Sequence, residues 1–185
     1  GVCTSPQNDI WDNVNYALHP VTHVNWQQAK TYAEWVHGRL PTEAEWEKAA
    51  RGTDGRIYPW GNVWDGSRVN YCDSNCPYDW KDNMGDDGYS GTAPIGHYAK
   101  GVSPYGVLDM TGNVWEWVND WYSYYSQTQT QNPTGPESGE QHVFRGGSWY
   151  DRQDVERVAA RTGGKPNDIF IQVGFRVVRS LSSEH

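Results

Sequence analysis

Apolar positions early in the chain recur at helical spacing. Between Val21 and Gly38, residues Trp26, Ala29, Ala33 and Val36 share one face, Asn25 stands as an N-cap, and Gly38 ends the run. A second helix is predicted from Pro41-Thr42-Glu43-Ala44-Glu45, because Thr42 and Glu45 have capping-box spacing. It runs through Trp46 and Ala49 to Arg51, with Gly52 as its C′ residue. Beyond Gly52 the periodicity stops. Residues 53–113 are mostly turn chemistry, as in Pro59-Trp60-Gly61-Asn62 and Ser103-Pro104-Tyr105-Gly106. β-Branched and aromatic residues return at Val114–Trp121, Gln141–Gly146 and Val173–Arg179, which predicts short strands. Thr128–Glu140, polar and rich in Pro and Gly, predicts an exposed connection. So long an irregular stretch needs tethers; bound ions, a disulfide and buried indoles are those the sequence offers.

Composition changes the expected core. The chain has 185 residues, suited to one domain, with 11 Trp, 12 Tyr and 20 Gly. Aliphatic residues are sparse, so large aromatics wrapped by glycine-rich loops form the expected interior. A net charge of -8 argues against a nucleic-acid partner, because phosphate binding needs a Lys/Arg surplus. Mean hydropathy of -0.85 and the lack of a long apolar run argue against a membrane span. Neither an internal repeat nor a linker divides the chain. Of the three cysteines, Cys72 and Cys76 could close a small loop, whereas Cys3 is left over by count. Zinc is disfavoured, since no second cysteine pair or closely spaced histidine pair accompanies them.

Four segments carry a family resemblance. They are Gly38-Arg39-Leu40-Pro41-Thr42-Glu43-Ala44-Glu45-Trp46-Glu47, Tyr58-Pro59-Trp60-Gly61, Gly112-Asn113-Val114-Trp115-Glu116-Trp117, and Arg145-Gly146-Gly147-Ser148-Trp149 followed by Gly174-Phe175-Arg176. In this order the chain resembles the formylglycine-generating enzyme (sulfatase-modifying factor) family from about Val21 to Val178. The resemblance implies one α+β domain, residues 1–185, of C-type-lectin-like fold. It has two helices, short strands and much irregular loop, and is expected to lack the portion that usually opens such domains. It also implies Ca2+. Calcium takes about six to eight hard oxygen ligands from carboxylates, amides and turn carbonyls. One family site matches Asp109, Gly112, Val114 and Glu116; the other matches Asn70, Tyr71, Asp87 and Tyr89, with the Cys72–Met84 insertion lying between its halves. The competing expectation is that Asp109 and Glu116 cap turns or pair with arginine. Arg39, Arg145, Arg161 and Arg176 lie inside the motifs and read as scaffold, as do Trp46, Trp60, Trp115, Trp117 and Trp149.

The chemistry of that family is expected to be missing. Its oxidase activity, which converts a sulfatase cysteine to formylglycine, uses two cysteines after Gly-Gly-Ser that bind copper as thiolates. The segment Ser148–Arg161 holds no cysteine: Asp151 takes the first place, and the second falls within a stretch read as shortened to Asp154-Val155-Glu156. His19 and His23 are separated by Pro20, which breaks the helix that would align them. A calcium-stabilised recognition domain for a protein or other ligand is therefore the leading reading. This C-terminal region resembles that of retroelement-diversified variable proteins, and the implied ligand-facing set is Tyr150, Arg152, Val155, Arg157, Ile169, Phe170 and Ile171. The competing arrangement of the last three is a strand with Ile169 and Ile171 inward and Phe170 outward. A cysteine-independent oxidoreductase is the alternative function, with Asp151, Glu156 or His97 as acid/base candidates and a deep pocket at Ser148 and Asp151 as its expected mark.

Overall fold

The computed structural model describes residues 5–6, 12–125 and 131–180. Helix α1 spans Trp26–Trp35 and α2 spans Glu43–Arg51. Both begin on the predicted caps. Asn25 and Gln28 form one complete capping box, and Thr42 and Glu45 form the other. Helix α1 is shorter than its apolar pattern suggests: Asn25 takes an extended conformation and Val36 becomes the C-cap. Arg39, expected as internal scaffold, instead makes a half-exposed ion pair with Glu45 at the start of α2.

Four strands form one mixed sheet: β1 Trp115–Trp121, β2 His142–Arg145, β3 Arg161–Gly164 and β4 Val173–Phe175, in the order β3-β2-β1-β4. β1 pairs antiparallel with β2, opposing Glu116 to Arg145 and Trp117 to Phe144, and parallel with β4. The third strand, Arg-Thr-Gly-Gly, was not predicted, because neither glycine carries a strand signal; pairing with β2 makes it a strand. Residues 131–140, the described part of the expected connection, have no helix or strand and are mostly exposed, and Cys3 lies outside the described residues.

The sheet divides two hydrophobic cores, of which the α1-side one is rich in aromatics. Trp115, Trp117, Phe144 and Val173 pack with Trp26, Ala29 and Ala33 of α1, while Val118 and Val143 pack with Trp46 and Ala50 of α2. Alternation along β1 and β2 thus feeds both layers. His142 is sandwiched between Trp26, at 3.6 Å and 4°, and Trp121, at 3.7 Å. Burial lowers its pKa to about 4, so the ring is neutral and behaves as one more flat core aromatic. Trp60, expected in the core, is only half-buried and stacks on Tyr58.

Candidate functional site

The turn between Asp109 and Glu116 is the hub of the irregular half. Its backbone enters the left-handed region at Asp109, Gly112 and Asn113, with φ of 54°, 70° and 63°. At Gly112 no side chain fits, because a Cβ would collide with Val69 and with the Asn70 carbonyl. The Gly112 N–H donates to Gly146 O and the Asn113 N–H to Asn70 O, while Trp149 N–H donates to Asn113 O. The Asn113 side chain accepts from Ala93 N–H and from Asn70 Nδ2. One tight turn therefore joins both expected calcium segments and the Gly-Gly-Ser-Trp motif.

The two ligand sets differ in what surrounds them. The insertion does not separate Asn70-Tyr71 from Asp87: the Asp87 carboxylate accepts Tyr71 N–H at 2.9 Å and Tyr89 N–H at 2.8 Å. Asn70 is buried with Oδ1 unpartnered, and burial pushes the Asp87 carboxyl up to about 7. A buried amide oxygen without a donor, beside a poorly solvated carboxyl, fits a hard cation. At the other set, Arg176 grips both Glu116 oxygens at 2.5 Å, and Trp46 Nε1 donates to Oε2 at 2.6 Å. The same guanidinium donates to Asp109 O, and Asp109 Oδ2 accepts Gly96 N–H. Arginine thus already supplies the positive charge at Glu116, which makes this set the weaker fit to a divalent ion. Among the described residues, no group of three or more His, Cys, Asp or Glu side chains is arranged to hold a metal.

The residues after Gly147 bring two acids to Ser148. Ser148 Oγ donates to Asp151 Oδ2 at 2.5 Å, and Trp115 Nε1 donates to the same oxygen at 2.7 Å. Glu156 Oε1 accepts Ser148 N–H at 3.1 Å, while Oε2 is buried without a partner. Glu156, at the end of the Asp154-Val155-Glu156 stretch, thus reaches Ser148. Its side chain turns inward and lies against Gly147, where a Cβ would collide with the carboxylate. Burial raises both pKa values, that of Glu156 strongly, and the nearby Asp151 charge adds to it. His97 is exposed against Tyr89 and Tyr98, away from this pair. Clefts of about 630, 380 and 660 Å³ open on the described surface, and none is lined by Ser148, Asp151 or Glu156.

The expected ligand-facing set is split. Arg152 and Arg157 are exposed, Tyr150 is half-buried, and Ile171 is 40% exposed. Phe170 is a correction: it is half-buried, and its ring packs against Trp117 and Phe144 at the margin of the α1-side core. The alternative inward–outward pattern fails too, since Phe170 points in and Ile171 out. Val155 also packs on the α1-side core, and Ile169 is half-buried. Two features were missed by the sequence reading. Glu43 is buried among Arg145, Arg161 and Tyr125; burial pushes its carboxyl up, but the two guanidiniums outweigh this and hold it below its ordinary range. Tyr78, Trp80, Trp149 and Tyr150 form a second aromatic cluster, whose only sequence signal is the Pro77-Tyr78-Asp79-Trp80 run after Cys76.

Two helices on a small mixed sheet, with long loops pinned by one Gly-Asn turn, define a C-type-lectin-like domain. The chain belongs to the sulfatase-modifying factor enzyme 1-like domain family, whose model matches residues 1–181. It is 42% identical over 183 residues to the formylglycine-generating enzyme of Thermomonospora curvata, covering 92% of this chain and 58% of that enzyme. The solved structure of PvdO from Pseudomonas aeruginosa superposes with a TM-score of 0.73 at 28% identity, covering 89% of this chain and 63% of that one. Treponema denticola variable protein 1 superposes with a TM-score of 0.65 at 24% identity, covering 94% and 70%, a likeness of fold. The chain thus spans between about two fifths and three fifths of the first curated relatives it matches.

Proposed function

We propose that this chain is a calcium-stabilised, C-type-lectin-like ligand-recognition domain that does not generate formylglycine. One observation carries the reading: where the resemblance places two copper-binding thiolates, this chain has Asp151 and the cysteine-free stretch Asp154-Val155-Glu156, and Asp151 and Glu156 both bond to Ser148 as carboxyls with raised pKa values. Carboxyl oxygens are poor ligands for Cu(I), and they cannot form a mixed disulfide with a substrate cysteine. The exposed Arg152, Arg157 and Ile171, with half-buried Tyr150, supply the recognition surface. An anaerobic Cu(I) titration of the purified chain tests the reading. No stoichiometric tight binding is expected; one tightly bound Cu(I) per chain would overturn it.

Calcium is assigned to Asn70, Tyr71, Asp87 and Tyr89, supported by the unpartnered Asn70 oxygen and the poorly solvated Asp87 carboxyl. A bound ion would hold the irregular half together by supplying the positive charge that this pocket lacks. The set at Asp109, Gly112, Val114 and Glu116 is a second, weaker candidate, because Arg176 already neutralises Glu116.

A cysteine-independent oxidoreductase is the second reading, favoured by the perturbed carboxyls beside Ser148. That Ser148 and Glu156 are fully buried, and that neither they nor Asp151 line any of the three clefts described above, counts against it. Stoichiometric iron or copper together with oxygen uptake on a small-molecule or peptide substrate would establish it in place of the first.

A further inference from the structure

The segment that follows the Cys72–Cys76 disulfide builds a surface feature that the family resemblance does not account for. Tyr78 and Trp80 stack face to face, with centroids 4.6 Å apart and planes 4° from parallel. Tyr150 packs edge-on against both, at 4.6 and 5.0 Å. Trp80 Nε1 donates to Tyr150 O at 3.0 Å, which fixes the rotation of the indole. The loop beneath is tied down as well: Asp82 N–H donates to Cys72 O, Cys72 N–H donates to Asp151 O, and Tyr71 OH donates to Asp82 Oδ2. Stacking covers one face of the Trp80 ring, yet the residue remains 39% exposed where it lines the 380 Å³ cleft. It is a rigid platform, and rigid aromatic platforms lose little entropy on binding.

The rest of the cleft narrows the ligand class. Asp79, Asp82, Lys81 and Arg152 all line it, two charges of each sign, so no strongly anionic or cationic ligand is favoured. Among the described residues, the side chains of Asp79, Asn83 and Gln153 make no hydrogen bond within the protein, which leaves amide and carboxylate groups ready for an incoming ligand. Apart from Trp80 and the highly exposed Met84 the lining is polar, which suits a peptide's apolar side chain poorly. A cage for an ammonium cation is not formed, because Tyr78, Trp80 and Tyr150 pack on one another as a stacked pair with an edge-on third ring rather than around a hollow. The exposed part of the Trp80 indole, ringed by hydrogen-bonding groups of no net charge, matches a molecule with a C–H face and hydroxyl edges. At about 380 Å³ the cleft is within the ordinary size of small-ligand sites.

We infer that the Trp80 cleft binds a neutral oligosaccharide, with a pyranose ring laid on the indole and its hydroxyls bonded to Asp79, Asn83 and Gln153. This deepens the recognition reading proposed above and rests on it. The test is calorimetric titration of the whole chain with neutral hexasaccharides of the cello, xylo, manno and malto series. Binding of at least one series is expected to weaken about tenfold or more in Trp80→Ala and to stay within about threefold in Trp80→Phe. Trp35→Ala, which removes an exposed indole of α1, should leave it unchanged. Near-UV circular dichroism and the melting temperature identify any variant that misfolds. No binding of any series at about 10 mM, or binding undiminished in Trp80→Ala, overturns the assignment. Capture of a defined protein ligand, weakened by Arg152→Ala and Arg157→Ala and indifferent to Trp80→Ala, also overturns it while leaving the recognition reading standing. Formylglycine formation on a sulfatase peptide would remove both.

Discussion

Glu156 is fully buried, with no cation beside it and one oxygen unpartnered. Its folded-state pKa lies well above its ordinary value, chiefly through burial. A raised pKa stabilises the fold fully at acid pH, and that stability is lost as pH rises through the folded pKa. The wild-type melting temperature should therefore fall as pH rises above the ordinary carboxyl range, whereas Glu156→Gln, neutral and nearly isosteric, should flatten that decline. A series of melts from acid through neutral to alkaline pH checks this. Arg145 presents the opposite case: it is completely buried, and it bonds to Glu43, Glu47 and the Val158 carbonyl while lying over Trp46. Removing it leaves the buried Glu43 with Arg161 as its remaining cation and takes one partner from the half-buried Glu47, so Arg145→Met should cost about 3–5 kcal/mol by urea denaturation. A loss under about 1 kcal/mol would contradict this network.

At the scale of elements, the caps and the hub turn decide how the chain is arranged. Thr42→Ala removes one half of a complete capping box and should cost about 1 kcal/mol. Gly112→Ala should cost more, because it adds a left-handed backbone penalty to a collision with Val69 and the Asn70 carbonyl. Its unfolding midpoint should fall below that of Thr42→Ala. These elements also mark how far the sequence could be read. Local rules found α1, α2 and their caps, and β1, β2 and β4 to within a few residues, because caps and β-branched runs act through near neighbours. β3 and the inward turn of Phe170 were not legible, since each depends on partners far along the chain. Asp151 and Glu156 were both named as acid/base candidates near the cysteine positions, but their convergence on Ser148 exists only in three dimensions. Glu43 was read as part of a helix start, while its two arginines come from β2 and β3.

For the whole molecule, two separate hydrophobic cores and long loops leave much of the fold to be held by polar ties. If calcium is one of those ties, saturating Ca2+ should raise the melting temperature. An excess of about a hundredfold over Kd corresponds to about 2.7 kcal/mol. Chelation should reverse the gain, and Asp87→Asn should abolish it; the same midpoint with calcium and with chelator would exclude the ion. No described helix is long and apolar enough to cross a membrane.

Recognition by a family scaffold that carries carboxyls in place of copper thiolates is checked by mass spectrometry of a cysteine-containing sulfatase peptide incubated with the chain, added copper, oxygen and a reductant. The cysteine should be recovered intact. Conversion of that cysteine to the aldehyde, abolished in Asp151→Ala, would contradict it.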